Sequence, residues 1–200
     1  MTDFQAPLSS ATLHEAAGRT GALPAAIGAA FAGARVQGPA FPVASPPGDN
    51  LWIHRAVYAA EPGDVLVVDV GGGTEFGYWG EILSTAAIAR GLAGLVINGG
   101  VRDREALADL GLPVFSAGLC IRGTGKDFDG SGSLGATVRI GEVFVDRGDL
   151  VVGDADGVVV IPRADADAVR KAAVERDAKE AETMRRIRAG ERTLDLYGWH

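Results

Sequence analysis

Glu81 and the pair Arg102-Asp103 stand twenty residues apart, across one predicted helix and one predicted strand. The run Gly77-Tyr78-Trp79-Gly80-Glu81-Ile82-Leu83 leads into an amphipathic stretch ending at Arg90. An apolar run over 92–97 follows, then Asn98-Gly99-Gly100-Val101-Arg102-Asp103. A carboxylate opens the helix, and a guanidinium beside a second carboxylate follows the strand. Those groups suit a divalent cation and a small carboxylate held side by side. The first turn of a helix offers unpaired backbone N–H groups and the positive end of the dipole, so Gly80, Glu81, Ile82 and Leu83 make an anion cradle. Arg102 can take a carboxylate or 2-oxo oxygen in a forked, charge-assisted pair. Asp103 supplies a hard oxygen of the kind Mg²⁺ uses, an ion that keeps most of its waters. Bland readings compete: Glu81 as an ordinary first-turn acid, and Arg102-Asp103 as a surface ion pair with Asp103 capping the helix over 104–110. The residue types alone leave both open.

Other motifs carry less. Gly71-Gly72-Gly73-Thr74-Glu75-Phe76-Gly77 follows a strand and precedes a helix, yet lacks the G-x-G-x-x-G spacing of a dinucleotide loop. Gly123-Thr124-Gly125-Lys126 is followed by Asp127 where a phosphate-binding loop needs a hydroxyl residue. Both read as loops shaped by glycine. No lysine lies within the acid-to-Arg-Asp segment to form an imine, and Lys126 is the nearest candidate. His14, His54 and His200 are too scattered to suggest a metal set, and the single Cys120 excludes a disulfide or a thiolate zinc site within one chain.

The elements that must position these groups read as alternating strands and helices. Helix is expected over 11–18 and again over 24–34, a short strand over 41–44, and helix over 51–60. The β-branched run Val65-Leu66-Val67-Val68-Asp69 is of the kind buried on both faces. A glycine-rich loop over 71–80 then leads to the helix at Glu81, strand 95–97, a Gly-Gly turn, helix 104–110 and strand 113–116. That order indicates βαβ crossovers and a partly parallel sheet, in which ligands gather at the C-terminal ends of strands. Short β runs at 136–140, 142–145, 149–152 and 158–161 suggest a meander or small barrel-like layer. A long charged helix over 165–189 carries a thin apolar stripe of Val169, Ala172, Ala173, Ala178 and Met184, and a tail follows. Such a helix packs on a neighbouring subunit or lies across its own domain; the sequence allows either.

With 200 residues, 47% of them hydrophobic, the chain suits one domain with a terminal extension. Its net charge of −7 is opposite to the basic field of a nucleic-acid binder, and the cluster Met184-Arg185-Arg186-Ile187-Arg188 reads as a solvated helix face. No apolar stretch reaches membrane-spanning length, and no secretory signal is legible; a cytoplasmic, reducing location fits.

Over most of its length the chain resembles the RraA-like superfamily, and within it the class II pyruvate aldolases that cleave 4-hydroxy-4-methyl-2-oxoglutarate and 4-carboxy-4-hydroxy-2-oxoadipate. The similar segments are 13–21, 47–54 (Pro-Gly-Asp-Asn-Leu-Trp-Ile-His), 62–69, the block from Gly80-Glu81 to Arg102-Asp103, and 153–163. The family signature is an acid, twenty residues, then Arg-Asp. The resemblance implies an α/β fold, the swivelling β/β/α domain: a central mixed sheet, flanking helices and a C-terminal helix. It implies a catalytic domain over 1–163 and a helix and tail over 164–200 that pack on a neighbouring subunit, in trimers or hexamers with sites between subunits. Asp103 would be the direct ligand of Mg²⁺ or Mn²⁺. Arg102 would bind the pyruvyl oxygen and stabilise the enolate, and the amides from Gly80 to Leu83 would hold the pyruvyl carboxylate. Glu81 would orient water or assist proton transfer, and Glu180 or Glu182 would reach a neighbour's site. The activity implied is release of pyruvate from a 4-hydroxy-2-oxo acid, with oxaloacetate decarboxylation through the same enolate. Two rivals stand beside it: a non-catalytic regulator that binds an RNA-degrading endonuclease, and a lyase or hydratase acting on another 2-oxo acid. The chain departs from the aldolase pattern at Asn98, where aspartate is common, and in loops 71–76 and 127–135. The selection of the distal part of the substrate is therefore left open.

Overall fold

The computed structural model describes residues 8–199. The first half of the chain runs α1 (Ser10–Ala16), β1 (Gly28–Ala29), β2 (Val36–Ala44), α2 (Leu51–Ala59), β3 (Val65–Asp69), β4 (Gly77–Trp79) and α3 (Glu81–Ala89). There follow β5 (Gly94–Val101), α4 (Arg104–Leu110), β6 (Val114–Leu119), β7 (Ser133–Leu134), β8 (Val138–Ile140) and β9 (Val143–Val145). The chain closes with β10 (Leu150–Asp154), β11 (Gly157–Ile161), α5 (Ala166–Arg188) and α6 (Thr193–Tyr197).

Nine strands form one mixed sheet in the order β1-β6-β5-β3-β2-β10-β11, with β4 added to β5 and β7 to β2. The central pairs β2–β3, β3–β5, β5–β6 and β4–β5 are parallel, and the flanking pairs are antiparallel. The end strands β1 and β11 touch, so the sheet is nearly closed. This is the α/β architecture expected, with helices flanking a central mixed sheet. The reason lies in β3 and β5, whose successive residues alternate between two apolar clusters. Leu66, Val68, Leu95 and Ile97 face α2, α3 and α4, while Val65, Val67 and Val96 face the interior of the curled sheet. A third cluster joins α1 and the first half of α5 to the β10–β11 hairpin through Leu13, Ile161, Val169 and Ala173. No helix among the described residues is long and apolar enough to cross a membrane.

Several expected elements differ. Residues 24–34 are not helical: Ile27 closes a single turn on Pro24, and Ala30 donates to the Val114 carbonyl, so this alanine-rich segment edges the sheet as β1. Glycines at 28 and 33, the latter at φ +80°, break the helix that the alanines favour. The strand expected at 41–44 begins at Val36. The Gly-Gly turn before Arg102 does not form, because β5 continues through Gly99 and Gly100. A Cβ at Gly99 would lie 2.6 Å from Val70 and one at Gly100 2.6 Å from the Phe76 carbonyl, so close packing explains both glycines. The late strands do not form one common layer, and only β8 and β9 make a separate two-stranded sheet. β8 and β9 pair with each other, whereas β10 and β11 extend the main sheet through β2. The tail contains the short helix α6.

Candidate active site

The site begins where β4 turns into α3. Trp79 is buried, and its indole donates to Ser84 Oγ at 2.6 Å, fixing the strand against the helix it precedes. Gly80 occupies the N-cap position with extended backbone (φ −161°) and has no side chain to satisfy the helix. Instead Asp103 reaches across from the end of β5, and its Oδ2 accepts from Glu81 N–H at 3.0 Å. A Cβ at position 80 would collide with that carboxylate, which is why the junction requires glycine. The neighbouring donors, Ile82 N–H and Leu83 N–H, have no partner among the described residues, as first-turn amides do when an anion is to be bound.

Arg102 is anchored by its own amide, which donates to the Trp79 carbonyl at 2.8 Å. Its Nε lies 3.6 Å from Asp103 Oδ2, and its guanidinium makes no hydrogen bond among the described residues. Asp103 sits at the N-cap position of α4, but its carboxylate does not cap that helix. Its backbone is left-handed, φ +58° and ψ +39°, a conformation that costs an ordinary residue about 1–2 kcal/mol. That geometry points the carboxylate toward α3 instead of α4. The N-cap reading of Asp103 thus does not describe this chain, and the ion pair with Arg102 does.

Arg102, Ile82, Leu83 and the segment Gly77–Gly80 line a cavity of about 290 Å³. Its other wall comes from the head of α2, with Asn50 and His54, and from the loop carrying Thr124 and Lys126. Asn50 is buried; its Nδ2 donates to the Tyr78 carbonyl at 2.7 Å, and its Oδ1 meets no donor among the described residues. Asp49, also buried, holds the two segments together. Its Oδ1 accepts from Leu51 N–H at 2.7 Å, and its Oδ2 accepts from Asp127 N–H. Gly125 N–H adds a bond to the Gly48 carbonyl at 2.7 Å. Burial lowers the pKa of His54, the nearby Lys126 ammonium lowers it further, and Asp49 opposes the shift without reversing it. The imidazole is therefore neutral at neutral pH, in a cavity whose other charged groups, Arg102 and Lys126, are cationic.

Of the residues predicted from sequence, Gly80, Ile82, Leu83 and Arg102 meet in this cavity, with Asp103 against its edge through Glu81 N–H and Arg102. The Glu81 side chain is exposed and does not line it. Glu180 and Glu182 lie on α5, paired with Arg176 at 2.8 Å and Arg185 at 2.6 Å, and neither lines the cavity of its own chain. Sequence reasoning missed Asn50, His54 and Thr124, and took Lys126 only as a distant candidate for an imine. The available signal was Asn50 and His54 one turn apart at a helix head, which puts them on one face. Asn98 is outside the cavity: its Nδ2 donates to Asp69 Oδ1 at 2.6 Å and its Oδ1 accepts from Val70 N–H at 2.8 Å. An aspartate there would set two carboxylates together, so the amide suits this chain. Neither divergent loop, 71–76 or 127–135, lines the cavity; Gly130 of the second accepts from the Trp52 indole.

Among the described residues no three His, Cys, Asp or Glu side chains cluster to cage a metal. A single carboxylate nonetheless fits a hydrated Mg²⁺ or Mn²⁺, which take most of their oxygens from water and ligand. Asp103 has that character: its side chain is 40% exposed and its Oδ1 carries no hydrogen bond among the described residues.

The comparisons with known proteins agree with this architecture. The family model described as RraA-like, Aldolase/RraA, matches residues 6–160. A Halalkalibacterium halodurans protein, provisionally named 4-hydroxy-4-methyl-2-oxoglutarate aldolase, is 37% identical over 153 residues, 76% of this chain and 72% of that protein. An uncharacterised Pseudomonas syringae structure matches with TM-score 0.83 and 27% identity, covering 96% of this chain and 90% of that one. The RNA-processing inhibitor RraA of Thermus matches with TM-score 0.70 and 25% identity, covering 78% and 93%. A nearly closed mixed sheet with a ligand-sized cavity at the strand ends, matched by the family model over most of its length, makes this chain a member of the RraA-like family.

Proposed function

We propose that this protein is a divalent-metal-dependent lyase that cleaves a 4-hydroxy-2-oxo acid to pyruvate and a second 2-oxo acid, and that it decarboxylates oxaloacetate. The observation that carries this reading is the meeting of the free α3 amides, the uncommitted Arg102 guanidinium and the strained Asp103 carboxylate around one cavity. The amides of Ile82 and Leu83 hold the pyruvyl carboxylate. Arg102 takes the 2-oxo oxygen, where negative charge collects as the bond breaks and an enolate forms. Asp103, with Mg²⁺ or Mn²⁺ bound, holds the group that supplies Lewis-acid polarisation of that oxygen. Glu81, exposed beside Asp103, orients water or moves a proton. Lys126, across the cavity, gives a second cationic contact for an anionic substrate. The aldolase name of the Halalkalibacterium relative supports the substrate class.

The exposed second half of α5 supports the extension of this reading to a homo-oligomer, trimer or hexamer, in which residues 164–200 pack on a neighbouring subunit and bring Glu180 or Glu182 to its site. Met184, Ile187, Leu194, Tyr197 and Trp199 are all exposed on this segment in the single chain. The likeness to the Thermus RNA-processing inhibitor favours a second reading, a regulator that binds an endonuclease without catalysis. That reading leaves the meeting of Arg102 and Asp103 at a cavity without a use. Pyruvate release from oxaloacetate and from 4-hydroxy-4-methyl-2-oxoglutarate, with Mg²⁺ or Mn²⁺ and with chelator, decides between them. Metal-dependent pyruvate is expected, and none from either substrate with either ion removes the enzyme reading.

A further inference from the structure

The cavity is rich in donors: Arg102, Lys126, Thr124 and the first-turn amides of α3. A 2-oxo acid presents only acceptors to them. Two groups in the same cavity have the opposite character. The Asn50 amide is fixed in orientation, because Tyr78 O can only accept and so takes Nδ2; the buried Oδ1 is left facing no donor. A buried acceptor without a partner is costly, and its cost is relieved by a ligand that carries an O–H. One turn along, His54 presents an imidazole whose backbone N–H bonds to the Asn50 carbonyl at 3.1 Å and whose ring makes no hydrogen bond among the described residues. Two acceptors on one face of α2, opposite a wall of donors, describe a ligand with a hydroxyl at its far end.

We propose that Asn50 and His54 recognise and deprotonate the substrate hydroxyl: Asn50 Oδ1 accepts its hydrogen bond, and the His54 imidazole takes its proton as the carbon–carbon bond breaks. The assignment rests on the aldolase reading above. The step balances within the cavity. The O–H proton passes to a ring nitrogen of His54, and the O–H electron pair becomes the new C4=O bond. The C3–C4 pair moves to C2=C3 as the C2=O pair moves onto oxygen, leaving the enolate oxygen beside Arg102. The enolate then takes a proton from water at C3 to give pyruvate, and the imidazolium returns its proton to the hydroxide left behind. His54 is faced by Lys126 on the loop, Asp49 at the helix head and Arg102 across the cavity. Among these only the neutral imidazole is free to accept a proton, since Asp49 is committed to two backbone amides.

Oxaloacetate loses CO₂ through the same enolate but has no hydroxyl proton to give up, so the two reactions on one protein isolate this step. In the wild-type protein with Mg²⁺, kcat/KM for cleavage of 4-hydroxy-4-methyl-2-oxoglutarate should fall on the acid side with a histidine-like limb that the decarboxylation profile lacks. In His54→Gln the ratio of cleavage to decarboxylation turnover should drop by about a hundredfold, within the range of lost general-base catalysis. Asn50→Ala should lower the same ratio, by about tenfold. Identical acid limbs for both reactions in the wild type, or an unchanged ratio in His54→Gln, overturn the assignment while leaving the aldolase reading in place. Absence of both reactions in the wild type overturns both.

Discussion

The two walls of the cavity are built differently. The wall around Arg102 is local in sequence: one strand, one helix and one strand bring Gly80 to Leu83 and Arg102-Asp103 together, and the β4–β5 ladder fixes their register. The opposite wall joins the head of α2 to a loop 78 positions further on, and the buried Asp49 carboxylate is the clasp between them. The first wall gathers groups suited to the invariant part of a reaction, a carboxylate, a 2-oxo oxygen and a cation. The second presents a hydroxyl acceptor pair and an ammonium, groups suited to whatever is attached to that part. Under the proposed function, chemistry common to many substrates would sit on the βαβ unit, and selectivity on the head of α2 and the loop that carries Lys126.

That division predicts a gradient of effects. Asp103→Ala, which leaves the apolar clusters untouched, should abolish metal-dependent turnover for every substrate, by about 10³-fold or more, and chelation of the wild type should do the same reversibly. Retained activity in either experiment would mean that the cation is held elsewhere. Arg102→Lys should lose about 10²–10³ in kcat on both oxaloacetate and the hydroxy acid, since a point charge does not reproduce the fork. A rate close to wild type would take Arg102 out of the mechanism. Across the cavity, Lys126→Met should raise KM for the longer dianionic substrate about tenfold, roughly 1.4 kcal/mol of binding, with little change in kcat. Borohydride reduction in the presence of pyruvate should leave the protein mass unchanged; a covalent adduct at Lys126 would replace the metal route with an imine.

The smallest effect on catalysis should come from outside both walls. Asp154 is buried on β10 and ties α1 to the sheet, accepting from Ser10 N–H at 2.9 Å, Ser10 Oγ at 2.6 Å and Asp156 N–H at 3.1 Å. Burial pushes its pKa up, but the bonds from Ser10 and Asp156, with help from Arg35, outweigh burial and hold it below the ordinary value. A carboxylate depressed on folding stabilises the protein above its unfolded pKa, and that contribution disappears as the pH falls through the folded one. Asp154→Asn should therefore cost about 1–3 kcal/mol near neutral pH, with a flatter acid limb in a melting series and turnover unchanged. Equal acid sensitivity in variant and wild type would show that the carboxylate's charge is irrelevant.

How legible this was in the sequence follows the same division. Between Val65 and Ser116 the strands β3, β5 and β6 and the helices α3 and α4 are legible, because each strand holds a continuous apolar stretch and each helix has its own period. β4 instead lies inside the stretch expected as a glycine-rich loop. The alanines at 25–34 mislead, because their helix propensity is overridden by two glycines and by the open edge of β6. Gly99 and Gly100 read as a turn by composition, whereas what they answer to is the side chain of Val70 and the carbonyls of Thr74 and Phe76 packed against their Cα atoms. Asn50, His54 and Lys126 were illegible as a group because nothing in their spacing announces the Asp49 clasp. Asp103 was legible as a residue of interest but not in its geometry: the left-handed turn that swings it onto α3 leaves no mark in composition.

The far half of α5 carries one more consequence. Beyond Ala173 it buries no side chain in its own chain. Thr12–Asp177 and Arg176–Glu15 tie its near end to α1, and past Asp177 the pairs Arg185–Glu182 and Arg186–Glu191 are its visible support. Fully exposed pairs of this kind contribute little to stability and weaken with salt. Amide protons of this segment should therefore exchange with deuterated water soon after dilution, ahead of those in β3 and β5. Slow exchange there would betray a covering surface supplied by another molecule, a readout of assembly that needs neither substrate nor cation.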